Sequence, residues 1–322
     1  MITLGLSSHR IEFLDFMRAE MERHDLILLE EPPHPRFDRM LRSELTIEEY
    51  IEDLETAFPQ YSKMMCIVLR ELYKKGRVIQ QVEPYLKILE KIHEMLVRGV
   101  SPDEILKIPI KREVYLSESK ATKTLLNYYS KTLLGTFEQV IEGVKEFAKA
   151  DAHRGRLRER MRARAIANQA KDTKGDIYVE VGYLHFPMFI NLKRELGDDV
   201  KVKPVFLQSH LIEKLTGKSI RQILSPGDIL TLRYRFGKKG NKALEDLLAA
   251  RSLIFIKLLT QDEIPLDSSE FPHTEEEIKL SNLVERLTYE DCERLFKKIR
   301  FLKKERASEV VTSYVETLSS QS

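Results

Sequence analysis

The sequence predicts an α/β fold: a mainly parallel central sheet with crossover helices, a large helical insertion and C-terminal helices. Two observations carry that expectation. Five short apolar runs bounded by chain-breaking residues, at 2–6, 26–29, 78–82, 177–181 and 202–207, have the length and composition of strands. The long segments between them repeat apolar residues at helical spacing, and strands that alternate with helices favour parallel pairing, because parallel neighbours need a crossover connection.

Taken in order, the first strand leads into Gly5-Leu-Ser-Ser-His9, and the second ends directly in Glu30-Glu31-Pro32-Pro33. An acidic stretch from 44 to 55 and a hydrophobic helix around 64–72 follow, more than a simple crossover requires. The third strand stops at Glu83-Pro84. From 85 to about 172 the pattern is helical, with breaks near 99–102 and at Pro109 and a long amphipathic piece over 125–147, which reads as an insertion or cap over one edge of the sheet. The fourth strand exits through Gly182-Tyr183-Leu-His185. Beyond the fifth come helices at 210–215 and 241–259, a proline-bearing linker over 261–273, and terminal helices at 274–287 and 289–318. The organisation expected is an α/β domain over 1–260 and a helical extension over 274–322.

Bulk properties exclude several classes. The 53 Lys and Arg nearly cancel 51 Asp and Glu, so the net charge of +2 gives no general reason to expect nucleic acid or an anionic membrane as partner. Cys66 and Cys292, each in a helical segment, encode neither a disulfide framework nor a thiolate metal site. No apolar run approaches the ~20 residues that span a bilayer, and the first ten residues read as a strand rather than a signal segment. A cytoplasmic location is expected. The high Lys, Arg and Glu content resembles the bias of hyperthermophile proteins.

Four strand exits carry candidate chemistry, because catalytic groups in open α/β sheets gather at the carboxyl ends of the strands. His9 follows the first strand, with a capping or surface role as the alternative. Glu30 and Glu31 end the second, where a carboxylate is costly unless paired or used; a pair of solvated loop acids is the plainer reading. Glu83 ends the third and is placed either to cap the helix that starts at Pro84 or to join a site. Glu180, Gly182, Tyr183 and His185 belong to the fourth, and alternation puts Glu180 and Gly182 on one face, so a cationic neighbour is expected opposite Glu180. A source of cations precedes it: Arg154, Arg156, Arg158, Arg160, Arg162 and Arg164 surround a narrow apolar stripe of Leu157, Met161 and Ala165. One or two of these arginines are expected to turn inward to the carboxylates. Thr216-Gly217-Lys218-Ser219 has the tail of a phosphate-binding loop but lacks the leading glycine, since that place is Ile212.

In this order the pieces resemble the superfamily that includes TraB/PrgY proteins, Tiki proteases, ChaN haem-binding lipoproteins and erythromycin esterases. The resemblance spans roughly residues 1–200. It rests on Gly5 to His9, on Glu30 with Arg36 as a follower, on Glu159-Arg160 within ERMRARAIANQA, and on Gly182-Tyr-Leu-His185. That superfamily covers metal-dependent proteolysis, ester hydrolysis and haem binding.

The enzyme reading is therefore a hydrolase of peptide, ester or amide bonds. His9, Glu30 and His185 would hold a divalent metal such as Zn, Mn or Co, or His9, His185, Glu30 and Glu83 would act as acid and base on water. Arg160 would steady an oxyanion. The alternative is a non-catalytic binding or signalling protein for an anionic small molecule or peptide held by the arginines. The C-terminal helices either cap the crevice or pair two copies as a homodimer.

Overall fold

The computed structural model describes residues 1–54, 56–238, 240–266 and 269–319; the end of the acidic stretch at Glu55 and linker positions 267 and 268 lie outside the described residues. The sheet-forming part runs β1 (Ile2–Ser7), α1 (Leu14–Met21), β2 (Leu26–Leu29), α2 (Phe37–Leu41), α3 (Ile47–Ile51), α4 (Pro59–Lys74) and β3 (Val78–Gln81). Four helices follow, α5 (Pro84–Val97), α6 (Pro102–Leu106), α7 (Pro109–Leu134) and α8 (Phe137–Asp172), before β4 (Ile177–Gly182), α9 (Met188–Leu196), β5 (Val202–Phe206) and α10 (Ser209–Thr216). The chain ends with α11 (Pro226–Arg235), α12 (Lys242–Leu258), α13 (Pro272–Glu285), α14 (Tyr289–Ile299) and α15 (Lys304–Ser319). Proline opens α4, α5, α6, α11 and α13, where its missing N–H has no partner to lose. Gly217, at φ 67°, ends α10, so the lysine and serine after it belong to a helix stop and not to a phosphate cradle.

All five strands pair in parallel, in the order β3-β2-β4-β1-β5, and the fold is of the α/β class expected. Two long helices expected from periodicity are each a pair. The 125–147 piece breaks at Gly135, where the backbone of Gln139 donates to Thr136 Oγ1 and that of Thr136 to Gln139 Oε1, a reciprocal cap that starts α8. The 289–318 piece breaks after Ile299, and α14 and α15 then bury Leu295, Ile299, Val311 and Val315 in one core.

The chain divides into two compact units. The first holds the sheet and comprises 1–115, 156–222 and 262–270; the second comprises 116–155, 223–261 and 271–322, and among its described residues the regular elements are helices. In the first unit the two-residue period of the strands sorts side chains cleanly. Ile27, Leu29 and Tyr178 face α1, α2 and α4, while Leu26, Leu28, Ile177, Val179 and Val181 face Ala163 and Ile166 of α8 and Met188 and Leu192 of α9. The link from β1 to β2 therefore uses one face and the link from β4 to β5 the other. Neighbouring β1 and β4 send the chain in opposite directions, the switch in strand order at whose carboxyl ends ligands gather in open α/β sheets.

Gly5 has a packing reason. A Cβ there would overlap the phenol of Tyr178, which is fully buried on the same face. Gly5→Ala is expected to cost about 1–3 kcal/mol, read as a lower urea midpoint, with partial recovery when Tyr178→Leu is added.

Candidate functional site

Four strand ends and one helix build a buried ionic cluster in the first unit. Glu30, one residue past β2, is its centre. Its Oε1 accepts from Arg158 Nη2 at 3.2 Å and lies 3.6 Å from Arg162 Nη1 and 3.4 Å from His185 Nε2, while its Oε2 accepts from the Gly182 backbone at 2.5 Å. Burial pushes this carboxyl up, but His185, Arg162, Arg158 and His9 outweigh it and hold Glu30 well below the usual carboxylate range. Glu83, past β3 and fully buried, accepts from Arg158 Nε at 3.0 Å. Arg162, 2% exposed, donates to the carbonyls of Val82 and Glu180 at 2.9 and 2.7 Å and so closes the ends of β3 and β4.

The helix α8 presents these groups because residues four apart share a face. Arg158 and Arg162 point to the strand ends, and Glu159, between them in sequence, reaches His185 Nδ1 at 3.2 Å. Both nitrogens of His185 thus face carboxylates. The apolar stripe expected on α8 is only part of what it buries: Leu157 packs with Tyr85, Ile92, Ile105 and Val114, whereas Ala163 and Ile166 join the sheet core. The buried arc is wide enough to contain Glu159 and Arg162. Arg160 and Arg164 fall outside it and are exposed.

Glu180 lies on the opposite face of the sheet, in a different setting. Its Oε1 accepts from Tyr61 Oη at 3.1 Å and lies 3.7 Å from His9 Nε2, and its Oε2 accepts from the Glu30 backbone at 3.1 Å. The group opposite Glu180, where a cation was expected, is the imidazole of His9 and not an arginine. His9 stacks obliquely on Tyr61, with ring centres 5.5 Å apart, and its side chain is 40% exposed, the open part of the cluster. Glu31 is half-buried beside it. Gln81 Nε2 donates to Glu31 Oε2 at 2.7 Å, and the amide is itself fixed by the His34 backbone and Tyr50 Oη. Burial, then the Glu180 charge, push the Glu31 carboxyl up to about 7.

Of the residues singled out in the sequence, His9, Glu30, Glu31, Glu83, Arg158, Glu180, Gly182 and His185 come together. Tyr183 opens the short 3-10 turn that carries His185. Arg36 pairs with Asp53 instead, and Arg160 takes no part. Sequence reasoning passed over Tyr61 and Gln81; it placed Glu159 in the resembling motif and Arg162 among the arginines of which one or two were expected to turn inward, without assigning either to the site. Gln81 stands at the buried parity of β3, beside Ile79, which was a readable signal; Tyr61, on the first turn of α4, offered none.

An uncharacterized protein of Archaeoglobus fulgidus is 31% identical to this chain over 291 residues, which is 90% of this chain and 96% of that protein. The chain belongs to the family of that archaeal protein. No family model matches the chain, and no solved structure is similar to it. The match to that protein runs along nearly the whole chain, through both compact units.

Among the described residues, no group of three or more His, Cys, Asp or Glu side chains is placed to hold a divalent metal. Glu30 has both oxygens engaged by donors, two guanidinium groups flank it, and both nitrogens of His185 already face carboxylates. Cations at that position repel a metal, so His9, Glu30 and His185 do not fit as its ligands.

Proposed function

We propose that this chain is a hydrolase of peptide, ester or amide bonds that works by acid–base chemistry on water, with His9 and Glu31 as the acting pair. One arrangement carries the reading: a half-exposed imidazole and a carboxyl that burial and the Glu180 charge push up to about 7 both lie against Glu180, beside a cluster whose other charges are locked to one another. A general acid or base is most effective when it titrates near the working pH. A hydrogen on His9 Nε2 directed at Glu180 leaves Nδ1 as the acceptor. Water bound there gives its proton to the ring as its oxygen attacks the carbonyl carbon. Glu31, protonated below about 7, passes its proton to the departing nitrogen or oxygen as that bond breaks. Exchange with solvent then restores both groups.

Glu30, Glu83, Glu159, Arg158, Arg162 and His185 are positioning residues in this scheme. They fix the strand ends from which His9 and Glu31 project. The cysteines supply no nucleophile, since burial, with Glu31 adding to it at Cys66, pushes both thiols up to about 12. The resemblance to TraB-like and Tiki-like proteins supports hydrolysis as the reaction class. The competing picture, an anion held by the helix arginines, gains nothing from the geometry, because Arg158 and Arg162 are committed to Glu30 and Glu83. No helix among the described residues is long and apolar enough to cross a membrane. With both described cysteines buried and free, a reducing cytoplasm is the location proposed.

The test is a panel of peptide, ester and amide substrates in chelator-treated buffer. Wild type is expected to turn over at least one class, and His9→Ala to lose about 100-fold or more of that rate. Turnover that His9→Ala retains, or that appears only on adding Zn, Mn or Co, removes this mechanism.

A further inference from the structure

We infer that Arg10 is a specificity residue of the same rim: its guanidinium receives a carboxylate carried by the molecule that binds beside His9. That this molecule is a substrate rests on the hydrolase reading; its binding does not.

Three features place Arg10 in that role. Its backbone is pinned at both ends of the turn after β1, its N–H donating to Ser8 O at 2.9 Å and its carbonyl accepting from Phe13 N at 3.2 Å. Its guanidinium carbon lies 4.5 Å from the centre of the Phe58 ring, so one face of the plane is covered and its direction is set. Its Nη1 is nonetheless buried and makes no hydrogen bond among the described residues. Arg77 Nε and Arg162 Nη1 also lack a hydrogen bond, but those side chains lie within 4 Å of Asp25 and Glu30, and Arg18, Arg23 and Arg36 likewise pair with carboxylates, which Arg10 does not. A buried donor without an acceptor weakens a fold, and one retained at a candidate site calls for an absent partner.

The chemistry of that partner follows from the fork and from its neighbours. A stacked, planar guanidinium without a carboxylate partner matches a two-oxygen anion better than it matches any neutral group. Arg10 follows His9 directly, and the same rim holds Glu30, Glu31 and Glu180. A dianionic phosphate would meet about twice the repulsion from those acids that a monoanionic carboxylate meets, with one guanidinium to offset it. The ligand class is therefore a small molecule or short peptide with a carboxylate close to the bond that faces His9. Two sources share this chemistry, a free peptide C-terminus and an acidic side chain.

Calorimetric titration of the full chain separates them, using N-acetyl-Ala-Ala, its C-terminal amide, and N-acetyl-Ala-Glu-Ala amide. Wild type is expected to bind at least one carboxylate-bearing peptide about 10-fold or more tightly than the plain amide. Preference for the first peptide assigns a terminal carboxylate, and preference for the third a side-chain one. Arg10→Met, which still covers Phe58, should bring the ratio to within about twofold, and Arg10→Lys should keep part of it. The melting temperature of Arg10→Met should not fall, because no hydrogen bond is lost. A carboxylate preference that survives in Arg10→Met, or its absence in wild type, overturns the assignment. Binding with that preference but no cleaved product leaves Arg10 in place and removes the hydrolase reading alone.

Discussion

Arg162→Met lowers the unfolding free energy by about 3–5 kcal/mol, the scale expected when one partner of a buried ionic group is removed. The arginine satisfies two strand-end carbonyls, Val82 and Glu180, and lies within 4 Å of Glu30 and Glu83. Its loss leaves Arg158 as the one guanidinium for both carboxylates, with Glu30 still held by His185 and the Gly182 backbone, and takes a donor from two strand-end carbonyls. Water cannot replace it easily, since both carboxylates are nearly inaccessible. The measurement is the urea midpoint, with two controls. Arg160→Met, two residues away but exposed, should change it by no more than about 0.5 kcal/mol. Adding Glu83→Gln to Arg162→Met should recover part of the loss, because one uncompensated charge disappears.

Glu31→Gln is expected to reduce kcat by about 100-fold or more, because an amide cannot release a proton to the leaving group. The pH profile is the sharper readout. Wild-type turnover should fall as pH rises through about 7, where the Glu31 carboxyl loses its proton, and that limb should vanish from the residual activity of the variant. Stability should move the other way. A carboxyl held at about 7 in the folded chain and at its ordinary 4.5 when unfolded contributes fully below 4.5. That contribution is lost as pH climbs from 4.5 to 7, a loss of roughly 2–3 kcal/mol. Glu31→Gln should therefore raise the melting temperature more at pH 8 than at pH 5. Gain of stability with loss of turnover is the pattern of a group kept for function.

The parallel sheet could be read from the chain because its strands are short apolar runs, each closed by a polar or breaking residue: Ser7-Ser8, Glu30, Glu83, Gly182. Buried parallel strands look like that whatever lies around them. The candidate rim followed from the same endings. What could not be read is which face each side chain takes once helices pack on both sides. Glu30 and Glu180 sit on neighbouring strands, yet the first is met by arginines of α8 and the second by Tyr61 and His9. Periodicity placed Arg158 and Arg162 together, but the choice of Arg162 over Arg160 depends on α8 touching two apolar neighbours at once, a tertiary fact. Tyr61 comes from a helix whose phase is set by Met65, Leu69 and Leu72 in the core. Its hydroxyl reaches Glu180 only because that packing aims it there. The break at Gly135, by contrast, was legible, for Thr136-Phe-Glu-Gln139 is a capping sequence that the long periodic run concealed.

The most direct examination of the account is a carbon-13 titration of the Glu31 side-chain carboxyl, assigned by comparison with Glu31→Gln. A midpoint near 7 is what the acid role requires, together with a further rise in Gln81→Leu, which removes the hydrogen bond that now lowers it. A midpoint in the ordinary range near 4.5 would mean that Glu31 is ionised at working pH, and the proposed acid–base pair would have no proton to give.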